Sequence, residues 1–253
     1  MTKKYMFFDI DGTLTNDNPG GIVTDKTQLA LQKLRENGHF LAIATGRAQH
    51  FAKGIMDELG FDNMVSDGGN GLTLNGQVLE IVPMDRELAQ EVIDECLEKN
   101  LNFFLSLDNS PTAFALKGMK VEEGPHLKKI VYLDSLDEVG DIFKIYIDDY
   151  EGLEDELTSI HKLGYITTPR IGIIVEPLDK FVGIKKMVEH LGGDLEDVVV
   201  FGDGKNDISM MEQAAFSIAM GNAIDEVKDI ASFVTKSNKE DGIYYACEHF
   251  GWI

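Results

Sequence analysis

The sequence predicts an α/β fold: a Rossmann-like parallel-sheet core, interrupted by an inserted α+β module and then resumed. Three observations predict it. "YMFFD" and "FLAIA" (5–9 and 40–44) are short apolar runs without alternation, the kind of strand buried on both faces, and a helical pattern separates them. The same type of strand returns late in the chain as "DVVVFGDG", 197–204. Between these parts, residues 83–179 carry strands in succession with few helices, which is an α+β pattern.

The elements follow in order. After the first strand, Thr24 to Asn37 reads as a helix. Thr24 caps it, Leu29, Leu31 and Leu34 fit one side, and Gly38 stops it. "FLAIATGR" is a buried strand ending at Thr45-Gly46. A helix from about Ala48 to Leu59 leads to "MVSDGGNG". Residues 72–82 alternate around Asn75-Gly76 and predict a hairpin. The division expected is a first core part at 1–82, the inserted α+β domain at 83–179 and a second core part at 180–253. In the insert, Asp85 caps the helix "RELAQEVIDECLEKN". Strands are expected in "NFFLSL", "TAFALK", "KKIVYL" and "IFKIYID", with one acidic helix near 151–162, and the module closes with "GYITTPRIGIIVEP". The helix "DKFVGIKKMVEHLG" reopens the core, and "KNDISMMEQA", "FSIAM" and "SFVT" complete it.

Composition narrows the function classes. Of 253 residues, 43% are hydrophobic and 26% charged, which suits a globular core. The formal net charge of −21 argues against nucleic acid or an anionic membrane as partner, while leaving room for a cation. Two cysteines, Cys96 and Cys247, outside any CxxC, fit a reducing compartment, and a cytoplasmic protein is expected. Lys3-Lys4 before "YMFF" mimics a signal peptide, but the apolar run breaks at Asp9. No stretch reaches the roughly 20 apolar residues of a membrane span. The six histidines are scattered without HxH or HExxH, so no zinc site is expected.

Why a buried strand should end on two carboxylates, Asp9 and Asp11, is the central question. An Asp at a strand end commonly serves a turn or a cap. Here two acids stand at alternate positions, and Asp203 ends another buried strand. In open α/β sheets, ligands bind beyond the carboxyl ends of the strands. Converging carboxylates resist ionising together, and a cation relieves that cost. Oxygen ligands without His or Cys favour Mg²⁺, which in turn engages phosphate oxygens.

"DIDGT" after an apolar strand resembles the first signature of the haloacid dehalogenase superfamily. "ATGR" resembles the second, Lys180 in "EPLDKFVGI" falls where the third has its lysine, and "GDGKNDISM" matches the fourth, GDxxND. "SDGGNG" and "SIAMGNAIDEVKDIASFVTKSNKEDGI" resemble the Cof-like phosphatase branch. Phe181 departs from the glycine that this branch more often has after the lysine. The resemblance covers both core segments; the cap matches in position and rough size.

The resemblance implies a phosphoric monoester hydrolase acting through an aspartyl-phosphate. Asp9 would be the nucleophile and Asp11 the general acid and base. Mg²⁺ would be held by Asp9, Asp203 and the backbone carbonyl of Asp11. Thr45, Gly46 N–H, the backbone of Ile10, Lys180 and Asn206 would bind or neutralise the phosphoryl group, and Asp207 would orient Lys180 or the metal shell. Arg47 could reach substrate or tie the helix start to a nearby acid. Asn70 could line the cleft or serve a turn. Met220-Gly221-Asn222 receives no chemical role. The expected partner is a small phosphorylated metabolite, sugar phosphates first, with no nucleic acid, membrane or protein partner. The insert would close over the cleft, and Ser106, Asp108, Asn109, Lys117 and Arg170 are its candidates for substrate choice. The alternatives are a sugar phosphomutase and a phosphoaspartyl signalling or regulatory protein without turnover.

Overall fold

A computed structural model of the chain describes residues 2–16, 21–121, 127–137, 139–148, 152–168 and 172–253. Residues 1–47, 52–80 and 179–253 cluster as one unit; residues 48–51 and 81–178 form a second.

The chain begins with β1 (Tyr5–Phe8), α1 (Asp25–Glu36), β2 (Phe40–Ala44), α2 (Gln49–Glu58), β3 (Met64–Ser66), β4 (Gly71–Leu74) and β5 (Gln77–Ile81). The second unit carries α3 (Arg86–Glu98), β6 (Phe103–Ser106), β7 (Thr112–Leu116), β8 (Lys129–Leu133) and β9 (Lys144–Ile147). It continues with α4 (Leu153–Glu156), α5 (Ile160–Leu163), β10 (Tyr165–Thr168) and β11 (Gly172–Val175). The first unit then resumes with α6 (Lys180–His190), β12 (Val198–Gly202), α7 (Ile208–Gln213), β13 (Phe216–Ala219), α8 (Asp225–Ile230), β14 (Phe233–Val234) and α9 (Gly242–His249).

The first unit is built on an eight-stranded sheet in the order β14-β13-β12-β1-β2-β3-β4-β5. β1 pairs parallel with both β2 and β12, so the first and last parts of the chain share the sheet centre. All four β1 side chains are buried because each face has its own core. Met6 and Phe8 join Leu31, Leu34, Phe201 and Ile243 on one face, where Phe8 stacks on Phe201 at 4.7 Å. Tyr5 and Phe7 join Val198, Val200, Ile184 and Met187 on the other. Asn75 and Gly76, both at positive φ, turn β4 into β5 as their sequence signal predicts.

Thr24 caps α1 by accepting from the Thr27 N–H. The expected apolar stripe needs correction. Thr27, Ala30, Leu31 and Leu34 face the core, and Leu29 is exposed. At about 100° per residue Leu29 points well away from Leu31, so hydrophobicity alone misplaced it.

The second unit has a six-stranded sheet, β10-β11-β9-β6-β7-β8, packed on a core that includes Val92, Ile93, Leu105, Ile145 and Ile160. The single helix expected near 151–162 is two short ones. The backbone leaves helical geometry at Leu157, and the N–H groups of Thr158 and Ser159 donate to Glu95 on α3 instead of continuing a helix. This unit also buries an ion pair between Lys144 and Glu176. Among the described residues no helix is long and apolar enough to cross a membrane.

Candidate active site

Because β1, β2 and β12 are parallel neighbours, Asp9, Thr45 and Asp203 leave the sheet at the same edge. That is the carboxyl edge, where α/β sheets place their ligands. Asp9 is pinned there by its N–H, which donates to the Phe201 carbonyl at 3.0 Å.

Lys180 is the first residue of α6. Its Nζ donates to Asp9 Oδ1 and to Asp207 Oδ1, both at 2.6 Å. The lysine is 1% exposed, so it is no solvated surface charge. Asp207 is fully buried, and its other oxygen accepts from the N–H groups of Asp203 and Gly204, each at 2.9 Å. Asp207 is thus committed to holding Lys180 and the turn after β12. Asp179 anchors the start of α6 by accepting from the Phe181 N–H.

Asp203 accepts from the Thr13 hydroxyl at 2.9 Å. The turn carrying Thr13 packs directly on it. Gly12 has φ +90°, and a Cβ placed there would lie 2.1 Å from Asp203 Oδ2. Only glycine satisfies both the backbone and the space. The DIDGT loop and the GDxxND strand end are therefore built against each other.

The two acids of the first signature take different partners. The strand ends at Phe8 and the chain turns from Ile10 onward, so alternation does not carry through to Asp11. Its carboxylate accepts two bonds from Arg47, Nε to Oδ2 at 2.7 Å and Nη2 to Oδ1 at 2.5 Å. Of the two uses expected for Arg47, the structure shows the tie to an acid. Thr45 is buried and its hydroxyl accepts from the Arg47 N–H at 3.1 Å, with the half-buried Gly46 between them. Ile10 buries its side chain in the core while its carbonyl accepts from Thr15. Asn206 sits half-buried in the 205–207 turn. Asn70 ends the 67–69 turn, its N–H donating to the Asp67 carbonyl. The same turn supports the second signature, because Asp67 N–H donates to Arg47 O and Gly68 N–H to Thr45 O.

Side-chain oxygens of Asp9, Asp203 and Asp207 lie within 4.8 Å of one another, against the single ammonium of Lys180. Burial raises the Asp9 carboxyl well above the ordinary range; Lys180 opposes this, and Asp207 and Asp203 add to it. Burial, followed by the charge of Asp207, pushes the Asp203 carboxyl up to about 7. Burial lowers the Lys180 ammonium, but Asp207 and Asp9 outweigh it and leave the group raised. A hard divalent cation fits this set. The donors are all oxygens, their negative charge exceeds the positive charge of Lys180, and burial together with neighbouring carboxylates disfavours the ionised forms of Asp9 and Asp203.

Of the substrate-choice candidates, Ser106 is buried and donates to the Asp108 carbonyl, while Lys117 pairs with Asp134 on the surface. Arg170 lies outside the described residues. Two site residues escaped the sequence reading. Thr13 had its signal inside DIDGT, a hydroxyl next to the turn glycine. Asn222 donates from Nδ2 to the Gly12 carbonyl at 2.8 Å and approaches Asp203 Oδ2 at 3.4 Å. Its only sequence signal was the unexplained "MGN".

Comparison with known proteins identifies the family and the fold. The model of the haloacid dehalogenase-like hydrolases matches residues 6–247. YkrA of Bacillus subtilis, whose phosphatase name is itself provisional, is 32% identical over the whole of both chains. The 5-amino-6-(5-phospho-D-ribitylamino)uracil phosphatase YwtE of the same organism is 27% identical, with 96% of each chain covered. Among solved structures, the subclass IIB sugar phosphatase BT4131 superposes with a TM-score of 0.80 at 26% identity, covering 99% of this chain and 100% of that one.

Proposed function

We propose, from the premise that this chain belongs to the haloacid dehalogenase-like hydrolase family and is an enzyme, that it is a magnesium-dependent phosphatase. Its substrates on this reading are small phosphorylated metabolites, sugar phosphates first. The observation that carries the reading is the buried Asp9–Lys180–Asp207 bridge with Asp203 beside it. Such a cluster is costly to a fold, and with a divalent cation added to the Lys180 ammonium it would hold an anionic phosphoryl group against a nucleophile. The sugar phosphatase BT4131 and the ribitylaminouracil phosphatase YwtE supply the substrate preference by analogy.

On this reading Asp9 is the nucleophile. A carboxylate oxygen of Asp9 bonds to phosphorus as the bond from phosphorus to the ester oxygen breaks. Asp11 gives a proton to the departing oxygen, for which its carboxyl group must turn from Arg47. The alcohol leaves and the phosphoryl group stays on Asp9. Asp11 then takes a proton from a water, whose oxygen bonds to phosphorus as the bond to Asp9 breaks. Inorganic phosphate leaves and both carboxyl groups return to their starting states. Lys180 offsets charge on Asp9 and on the phosphoryl oxygens, and Asp207 keeps Lys180 in place. Thr45, the N–H of Gly46, the backbone of Ile10 and Asn206 orient the phosphoryl group. Asp9 and Asp203, with the Asp11 carbonyl, would hold Mg²⁺, which when bound supplies positive charge beside the anionic phosphoryl group. Both cysteines are free and buried, which suits the cytoplasm as the place of action.

The test is phosphate release from a panel of phosphorylated metabolites, with and without Mg²⁺, beside Asp9→Asn. Release that needs Mg²⁺ and vanishes in the variant is the expected result. Undiminished release by Asp9→Asn would sink the mechanism. Phosphate retained on Asp9 without release would point to the signalling alternative, and transfer back to a sugar hydroxyl to the mutase.

A further inference from the structure

Asn222 is joined to two parts of the chain that the reaction needs in register. Its Oδ1 accepts from the Asn238 N–H at 2.9 Å. A backbone N–H can only donate, so this bond fixes which way the amide faces and turns Nδ2 toward the first signature. Nδ2 donates to the carbonyl of Gly12 at 2.8 Å and lies 3.4 Å from Asp203 Oδ2. One amide therefore touches the turn that carries Asp11 and the carboxylate of Asp203.

The surroundings are built to hold that amide. The Gly221 N–H donates to the Lys236 carbonyl at 3.0 Å, and a Cβ on Gly221 would lie 2.5 Å from the Ser237 nitrogen. The 220–222 turn thus sits flush against the 236–238 segment. Asn238, itself buried, reaches on to donate from Nδ2 to the Thr15 carbonyl at 2.8 Å. Asn222 and Asn238 therefore grip the 12–15 loop at two points, from a segment more than two hundred residues away in sequence. Asn222 stays exposed and contributes nothing to the apolar core.

We propose that Asn222 is a positioning residue that sets the Gly12 turn, and with it Asp11, against Asp203. The proposal rests on the phosphatase reading above. Two variants separate it from a purely structural role. Asn222→Asp keeps the acceptor for the Asn238 N–H and loses both donor contacts; Asn222→Ala loses everything. Both should lower kcat for p-nitrophenyl phosphate by roughly tenfold to a hundredfold, with KM changed by less than about threefold, since small displacements of reacting groups cost that much. In Asn222→Ala the Mn²⁺ dissociation constant, read by electron paramagnetic resonance without substrate, should rise by about tenfold.

Thermal melts with folded baselines would accompany both variants, and if the Ala protein fails to fold, the Asp protein decides alone. A folded Asp variant with the parent's kcat overturns the proposal. So does an Ala variant that melts earlier while keeping the parent's kcat and Mn²⁺ affinity. If the parent binds Mn²⁺ but releases no phosphate, the reaction reading has failed and the Mn²⁺ comparison still decides Asn222: parent-like affinity in the Ala variant overturns the proposal and a raised constant supports it. A parent that neither releases phosphate nor binds Mn²⁺ overturns both.

Discussion

Arg47 holds the Asp11 carboxylate by a two-point fork, Nε to Oδ2 at 2.7 Å and Nη2 to Oδ1 at 2.5 Å. The pair is partly exposed, with side-chain exposures of 16% and 21%, so it can open to substrate. If Asp11 protonates the departing oxygen, its loss should matter most where that oxygen is a poor leaving group. Asp11→Asn should cut turnover of an alkyl phosphate by about 10²–10⁴-fold, the usual range for general acid–base catalysis, and that of p-nitrophenyl phosphate much less. Arg47→Lys should show the same leaving-group pattern more weakly, because an ammonium cannot reproduce the planar fork. Equal losses on both substrates would remove Asp11 from proton transfer.

Lys180 bridges Asp9 and Asp207 from a site with 1% exposure. Lys180→Met keeps the bulk and leaves two buried carboxylates facing each other. Removing one partner from a buried ion pair costs about 3–5 kcal/mol. The cost should shrink as pH falls, because protonation of the Asp9 carboxyl, already raised by burial, relieves the repulsion. Urea unfolding of both proteins at several pH values measures this. A gap that stays constant with pH would mean that the loss comes from packing.

Proton and metal should compete at Asp203. Its carboxyl is raised from the ordinary 3.8 to about 7 by burial, followed by Asp207. Between those values the folded protein keeps a proton that the unfolded chain has lost. The stability this represents is fully present below the ordinary value and is lost as pH rises toward 7. Asp9, also raised, acts in the same direction. A divalent cation takes the proton's place, so the rise in Tm caused by Mg²⁺ should be small at pH 5 and largest near pH 8. Asp203→Asn should flatten that trend. A Mg²⁺ shift independent of pH, or one untouched by the substitution, would exclude Asp203 as a ligand.

What the sequence made legible was set by how local each signal is. The buried strands β1, β2 and β12, the Thr24 and Asp85 caps and the Asn75-Gly76 hairpin all depend on a few adjacent residues, and they stand where expected. Asp9, Lys180, Asp203 and Asp207 could be gathered because each lies in a recognisable signature, and the structure brings their side chains together. The break at Leu157 depends on Glu95, far away on α3, and no local pattern announces it. The exposure of Leu29 depends on which of several helix faces meets the sheet. A sequence does not give the distance from Arg47 to Asp11, so it leaves two uses of Arg47 open. Asn222 was missed because its partners, Gly12 and Asn238, come from the two ends of the chain.

Gly12 joins local and long-range constraints in one residue. Its φ of +90° is a conformation that side chains resist, and its missing Cβ leaves room for Asp203 Oδ2, which would otherwise lie 2.1 Å away. Gly12→Ala should cost about 1–2 kcal/mol from the backbone alone. The clash adds a displacement of Asp203 or of the turn, because a carboxylate held by Thr13 cannot retreat freely. Activity should therefore fall far more than stability. Chemical denaturation beside Mg²⁺ titration of phosphate release separates the two effects. A variant destabilised by this amount but with the parent's Mg²⁺ dependence and kcat would show that contact between the first signature and Asp203 is not needed for turnover.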